Sequence, residues 1–161
     1  MPAAPIIDIS DLDFENPKAG QETIERINPH RGHMRHLDAV ARWDRKQGVG
    51  WKNVHEDEFW VAGHIPGRPL LPGVLMIEAA AQLSSFIVLM ADEDDGTREA
   101  SPFLGFTRCD ETAFRGQVAP GDRLVLIADL LSKNKRRFVS RCQGFVEGRL
   151  TFETKITGMR M

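Results

Sequence analysis

Two side chains that can exchange protons stand near each other, His64 in a loop rich in glycine and proline and Glu78 in the apolar segment that follows. Histidine changes charge near neutral pH, which makes His64 a candidate general base. An ionised carboxylate is costly to bury without a partner, so burial predicts a raised pKa for Glu78 and a protonated side chain that can donate. The structural alternatives are an exposed loop histidine without a role and a glutamate that only specifies packing.

Two further positions could support such chemistry. Gly73 follows Pro72 at the predicted start of a helix, where backbone N–H groups lack partners inside the helix and the helix dipole is positive. Such N–H groups can bind a polarised carbonyl oxygen, and a glycine lets a ligand approach closely. Gln82 lies one helical turn after Glu78 on the same face, where its amide can orient the carboxyl group.

Three histidines recur at every third position, His30, His33 and His36. A protein metal site needs three or four defined ligands, and no cysteine or acidic cluster completes a set here. We therefore expect no metal. A basic run at a predicted hairpin tip indicates a solvated turn, with a docking patch for an acidic partner as the alternative; its residues are Lys133, Lys135, Arg136 and Arg137.

The apolar run from Val74 to Met90 covers every face of a helix, which predicts a helix buried on most sides. It carries polar residues and falls short of the ~20 apolar residues of a membrane span, so we expect a core helix. A shorter helix is predicted over Gln21–Ile27. It should end before Asn28-Pro29, because a residue that precedes proline avoids helical dihedral angles.

The remaining segments favour extended structure. Strands are predicted over residues 33–43, 50–54, 113–118, 124–131, 138–146 and 150–156. The first two should form a hairpin with a glycine-bearing turn, and the last three should form an antiparallel meander with a tight turn at Glu147-Gly148. About five antiparallel strands curled around one buried helix give an α+β domain.

Length and composition fit one domain. The chain has 161 residues, of which 42% are hydrophobic and 27% charged. We expect a flexible extension over residues 1–20 and a folded domain over 21–161. A net charge of −2 argues against a nucleic-acid binder. Two isolated cysteines and an N-terminus without a secretory signal favour a cytoplasmic protein.

With these residues together, the chain resembles the 3-hydroxyacyl-[acyl-carrier-protein] dehydratases of fatty-acid synthesis, the FabZ type with a hotdog fold. The resemblance runs from about Thr23 to Met159. It is carried by Gly63-His64-Ile65-Pro66-Gly67-Arg68-Pro69, continuing through Pro72-Gly73-Val74-Leu75 to Glu78-Ala79-Ala80-Ala81-Gln82. Weaker matches are Pro29-His30-Arg31, Lys52-Asn53-Val54, the Phe103 to Phe114 region and Pro120-Gly121-Asp122.

The resemblance implies that His64 and Glu78 are the catalytic pair and that each site takes one of them from each subunit of a homodimer. It also implies that Gly73 and Val74 offer backbone N–H groups to the thioester carbonyl and that Gln82 steadies the carboxyl group. The implied reaction converts a (3R)-3-hydroxyacyl-carrier thioester to a trans-2-enoyl thioester without a cofactor. A sister branch that also isomerises its product has aspartate at the position of Glu78, so dehydration alone is expected. Assembly of dimers into hexamers is left open.

The chain departs from the family pattern at two places. The family has apolar residues where this chain has Gly32-His33-Met34-Arg35-His36, which adds charge near the wall of an acyl tunnel. The chain has no tyrosine, so the family's tyrosine gate is absent in that form and Ser101-Pro102-Phe103 occupies its region. Two other hotdog functions remain as alternatives, an acyl thioesterase and a non-catalytic acyl-thioester binding protein.

Overall fold

The computed structural model describes residues 3–100 and 103–161, and it arranges one antiparallel sheet around one long helix. The elements in chain order are α1 (Gln21–Ile27), a short 3-10 helix (Gly32–Met34), β1 (Ala39–Trp43), β2 (Gln47–Asn53), α2 (Gly73–Asp94), β3 (Leu104–Phe114), β4 (Arg123–Lys133), β5 (Arg137–Val146) and β6 (Arg149–Arg160). The sheet order is β1-β2-β4-β5-β6-β3. The predicted α+β architecture is confirmed.

Helix α2 forms the centre of the core. Leu83, Phe86 and Ile87 are fully buried, and α2 packs against every strand of the sheet, with the ring of Phe86 5.1 Å from the ring of Trp43 in β1. The helix is long and apolar enough to cross a membrane, but 72% of its most apolar window is buried inside the protein. It is therefore the core helix that the sequence predicted.

Two glycines let β2 lie close to its neighbours. A Cβ atom on Gly48 would lie 2.7 Å from Cδ1 of Ile87 on α2. A Cβ atom on Gly50 would lie 2.6 Å from the carbonyl oxygen of Ala39 on β1. The sequence suggested that these glycines form the hairpin turn, and that prediction was wrong. The turn is formed by the side chain of Asp44, which accepts hydrogen bonds from the backbone N–H groups of Lys46 and Gln47.

We expect Gly50→Ala to lower the free energy of unfolding by about 1–3 kcal/mol, because the clash is with a backbone oxygen that cannot rotate away. Urea denaturation measures the difference. Gly20→Ala is the matched control, since a Cβ atom there meets nothing within 4 Å. Equal stabilities for the two variants would contradict this packing.

The N-terminal segment makes more contacts than the sequence suggested. Its apolar side chains pack on the outer face of the sheet, against Val49, Val125, Ile127 and Phe145; they are Ile6, Ile7, Ile9, Leu12 and Phe14. Ala19 also pairs with Val40 at the edge of β1. Residues 3–20 therefore make more apolar contacts with the sheet than their sequence pattern indicated. Aspartates and prolines lie between these apolar residues, so the sequence shows no regular apolar pattern in this segment.

Several predicted strand boundaries differ from the structure. Strands β1 and β2 span Ala39–Trp43 and Gln47–Asn53, where strands were predicted over 33–43 and 50–54. Of the predicted strand at 113–118, only Ala113 and Phe114 are in a strand, as the end of the eleven-residue β3 at the edge of the sheet. No strand leads into His64, because β2 ends at Asn53 and turns follow. The boundaries of α1 and the turn at Glu147-Gly148 are confirmed, and both residues of that turn have the positive φ of a tight hairpin.

Candidate functional site

His64 is fixed by three hydrogen bonds within its loop. Its backbone N–H donates to the carbonyl of Trp60 at 2.8 Å, and its own carbonyl accepts from Leu70 at 3.0 Å. Ring atom Nδ1 lies 2.7 Å from the carbonyl oxygen of Leu70. A carbonyl can only accept, so Nδ1 carries the proton of the neutral ring and Nε2 carries the lone pair. The exposed imidazole therefore presents Nε2 as a base.

Glu58 positions the loop that carries His64. Its carboxylate accepts hydrogen bonds from the buried Lys52 at 3.0 Å, from the backbone of His55 at 2.9 Å and from the indole of Trp60 at 2.9 Å. Burial raises the pKa of Glu58, but these donors outweigh burial and lower it below its ordinary value. The ionised carboxylate thereby anchors Trp60, whose carbonyl holds His64.

Glu78 projects from the first half of α2, and its side chain is 16% exposed. Its Oε1 accepts a hydrogen bond from Nε2 of Gln82 at 2.8 Å and lies 3.2 Å from Nε2 of His30. Both contacts are made by Oε1, and Oε2 has no hydrogen-bond partner among residues 3–100 and 103–161. Oε2 is therefore the oxygen available to a ligand.

The pKa of Glu78 differs from the sequence-based expectation. Burial does raise it, as predicted, but the hydrogen bonds from His30 and Gln82 outweigh burial and hold the pKa below the ordinary value of 4.5. Expecting a protonated Glu78 from burial alone was therefore wrong for the isolated chain. The hydrogen bonds from His30 and Gln82 therefore favour the ionised form of the buried Glu78 side chain.

Gln82 fastens the segment of residues 28–36 to α2. Its Nε2 donates to the carbonyl of Met34 at 2.7 Å as well as to Glu78, and its Oε1 accepts from the backbone N–H of His36 at 2.8 Å. Its backbone carbonyl accepts from Nδ2 of Asn28 at 2.9 Å. The contact with Glu78 that the helical spacing predicted is present. The same amide also brings His30 to the carboxylate.

Gly73 is the first residue of α2, and Pro72 is its N-cap. The carbonyl of Pro72 accepts from Leu75 and Met76, whereas the N–H groups of Gly73 and Val74 have no acceptor in the part of the chain that is described. A Cβ atom at Gly73 would lie 2.8 Å from the ring of Phe114. Glycine thus leaves room for the ring of Phe114, and its position also leaves two backbone donors at the positive end of the helix dipole.

Glu78 and Gln82 line a small cavity of about 190 Å³ beside α2. Its other lining residues are His30, Ala81, Ser85, Phe103, Leu104, Gly105 and Phe106. His64 is not among them and lies on an exposed loop. One chain therefore brings Glu78, Gln82 and His30 together, but it does not bring His64 into their cavity.

The structure also gives the positions of a second cavity and of the region where the family has its gate. A cavity of about 620 Å³ lies under the N-terminal segment on the outer face of the sheet, and neither His64 nor Glu78 lines it. No group of three or more histidine, cysteine or acidic residues could hold a metal ion in residues 3–100 and 103–161. In the region of the expected gate, Phe103 is half-exposed at the cavity, whereas Ser101 and Pro102 lie outside the described residues.

Sequence reasoning missed His30 as a site residue. It considered the histidine only as part of a metal triplet and as one of the weaker family matches. Its contact with Glu78 depends on the pairing of residues 28–36 with α2 through Gln82. The signal that could have found it is the segment Pro29-His30-Arg31, read together with a buried acid in need of a donor.

The comparisons of this sequence with known proteins all indicate one family. A model of the FabA-like domain matches residues 28–155. The "3-hydroxyacyl-[acyl-carrier-protein] dehydratase FabZ" of Clostridium acetobutylicum is 37% identical over 139 residues, covering 86% of this chain and 95% of that protein. The FabZ of Alkaliphilus metalliredigens is 39% identical over 123 residues, covering 75% of this chain and 78% of that protein.

A solved structure matches the fold. "The Dehydratase Heterocomplex ApeI:P from Xenorhabdus doucetiae" superposes with a TM-score of 0.75 at 16% identity, covering 86% of this chain and 90% of that one. At this identity the match concerns the fold alone. The antiparallel sheet wrapped around α2 is the hotdog fold that the resemblance implied.

Proposed function

Because this chain belongs to the FabA-like domain family, we propose that it dehydrates (3R)-3-hydroxyacyl thioesters of acyl carrier protein in fatty-acid synthesis, as a hydro-lyase of the FabZ type. The observation that carries the proposal is the cavity beside α2, where a hydrogen-bonded carboxylate faces a pocket with an apolar wall. Two free backbone donors at the start of the same helix add a site for the thioester oxygen.

The proposed reaction assigns one task to each group. The N–H groups of Gly73 and Val74 bind the thioester carbonyl oxygen, which makes the proton on C2 removable. Nε2 of His64 takes that proton. Glu78 gives a proton from Oε2 to the 3-hydroxyl group, so that the C3–O bond breaks, water leaves and a C2–C3 double bond forms. Gln82 holds the carboxyl group through Oε1, and the product is a trans-2-enoyl thioester without isomerisation.

A homodimer supplies the histidine that one chain lacks in its cavity. The two edges of the sheet differ, because Ala19 covers β1 whereas β3 has a free edge in the described residues. Strand β3 exposes Phe106 and Phe114, and an edge strand with unpaired backbone groups is a template for pairing with another strand. Phe106 also lines the cavity of Glu78. Pairing through β3 would therefore place a second chain at the cavity, and we assign His64 of the partner subunit to it.

The remaining features of the proposal follow from the same assignment. The substrate partner is an acyl carrier protein, and the protein works in the cytoplasm. The fold supports an oligomer of the hotdog type, for which the dimer is the unit that completes a site. Assembly of dimers into hexamers is a further arrangement that the reaction does not require.

The test is an assay with (3R)-3-hydroxyacyl carrier-protein substrates of graded chain length, with products identified by mass. The proposal predicts an acyl product lighter by one water and still attached to the carrier. Release of a free thiol with no enoyl product would indicate a thioesterase. Tight binding with no change in the substrate mass would indicate an acyl-thioester binding protein.

A further inference from the structure

His30 touches the proposed acid, yet the mechanism above gives it no task. Its Nε2 lies 3.2 Å from Oε1 of Glu78, and it lines the same cavity. Its other ring nitrogen, Nδ1, is buried and has no hydrogen-bond partner in the described residues. A buried polar atom without a partner is costly, so a ligand or water is expected to reach it.

The contact places a proton on the ring of His30. A carboxylate can only accept a hydrogen bond, so Nε2 of His30 carries a proton and donates it to Glu78. When the ring is neutral, Nδ1 carries the lone pair. In this form Glu78 is ionised and has no proton to give to a hydroxyl group. The dehydration therefore requires one more proton on the pair than the resting pair holds.

We propose that His30 supplies the proton that Glu78 gives to the departing 3-hydroxyl group, an inference that rests on the proposed dehydratase function. Nδ1 of His30 takes a proton from water at the cavity, which charges the imidazole. The proton on Nε2 then passes to Glu78, so the carboxyl group is protonated and His30 becomes neutral. Glu78 delivers a proton to the hydroxyl oxygen, the C3–O bond breaks, and water leaves. His64 meanwhile holds the C2 proton and releases it to solvent. His30 returns to its resting form by releasing the proton on Nδ1 to water and taking up a proton on Nε2.

Other titratable groups do not serve this purpose. The charges that reach Glu78 are those of His30 and His36. His36 is buried, and burial followed by the charge of Lys52 lowers its pKa, although Glu58, Glu78 and Asp38 oppose this. Its contact with the site is made by its backbone N–H, which binds Gln82. His30 is therefore the proton-supplying residue, and it acts through Glu78 and not on the substrate.

The first test is His30→Gln, whose side-chain amide can still donate to Glu78 but cannot carry a proton to it. We expect kcat to fall by about 10²-fold, with KM changed much less, because the proton supply and not substrate binding is removed. The alkaline limb of the pH profile of kcat should also move to lower pH, since Glu78 must then hold the proton without a histidine beside it to supply one. A purely structural role would lower kcat by the same factor at every pH.

The second test changes the leaving group. A (3R)-3-fluoroacyl thioester loses its C2 proton to His64 and releases fluoride, which needs no proton to depart. On this substrate, the kcat of His30→Gln should lie within a few-fold of the wild-type kcat. An equal deficit on the fluoro and hydroxy substrates would overturn the proposal.

His55→Gln is the matched control, because His55 is exposed and lies outside the cavity. It should retain the wild-type kcat and pH profile. Circular dichroism verifies the fold of each variant, and His30→Asn replaces His30→Gln if the latter does not fold.

Nitrogen NMR of the wild type adds a test without mutation, since the neutral ring should carry its proton on Nε2; a proton on Nδ1 would overturn the proposal. If the wild type is active and the kcat of His30→Gln equals that of the wild type, the role of His30 in proton supply is overturned and the dehydratase function stands. If the wild type is inactive, the dehydratase function is overturned as well.

Discussion

His64→Ala is expected to lower kcat/KM for 3-hydroxyacyl thioesters by about 10²- to 10⁴-fold, the usual contribution of a positioned general base. The loop already holds the ring so that Nε2 is free, because Nδ1 is bound to the carbonyl of Leu70. The side chain is exposed and its backbone contacts do not depend on the imidazole. Steady-state kinetics should therefore show a large loss of activity with little change in the melting temperature.

His55→Ala is the matched control for this variant. His55 is an exposed histidine earlier in the same loop, and its recorded contact with Glu58 uses only the backbone N–H. It should keep the wild-type kcat/KM. A His64→Ala enzyme that turns over at the rate of His55→Ala would remove His64 from the mechanism.

Glu78→Gln should cause a loss of similar size in kcat, about 10²- to 10⁴-fold, because the amide keeps the shape of the side chain but cannot deliver a proton. The amide oxygen can still accept from Gln82 and His30, so substrate binding and KM should change little. Glu56→Gln, at an exposed position in the loop before His64, serves as the control. Comparable kcat values for the two variants would contradict the assignment of the acid.

The same substitution has an effect on stability with a defined pH dependence. The folded pKa of Glu78 lies below its ordinary value of 4.5, so the ionised group stabilises the fold above about pH 4.5, and this stability is lost as the pH falls through the lowered pKa. Glu78→Gln should therefore be less stable than the wild type at neutral pH, and the difference should narrow in acid. Urea denaturation across this range measures it.

Periodic patterns made the central elements predictable. The apolar run identified α2 as a buried helix, and the Asn28-Pro29 pair fixed the end of α1. The predicted strand at 113–118 included only the last two residues of β3, because exposed charges interrupt the pattern of the rest, among them Arg108, Asp110 and Glu111. An edge strand with both faces largely exposed does not show the alternation of a half-buried strand.

The candidate site was predictable in its residues but not in its electrostatics. Glu78 and Gln82 are neighbours on one helix face, so their contact follows from local spacing. The pKa of Glu78 depends also on His30, which reaches the carboxylate only after residues 28–36 pair with α2. Burial can be predicted from an apolar run, whereas a donor from a distant segment requires the tertiary fold.

The central claim is that the base and the acid of one site come from different chains, which a mixed dimer tests directly. A His64→Ala chain and a Glu78→Gln chain, co-expressed with different tags and purified through both, form a dimer in which one site has both residues intact and the other has neither. We expect about half of the wild-type activity per mixed dimer, although each mutant homodimer is inactive. A mixed dimer no more active than the two mutant homodimers would contradict it, because a site built from one chain would then be broken in both subunits.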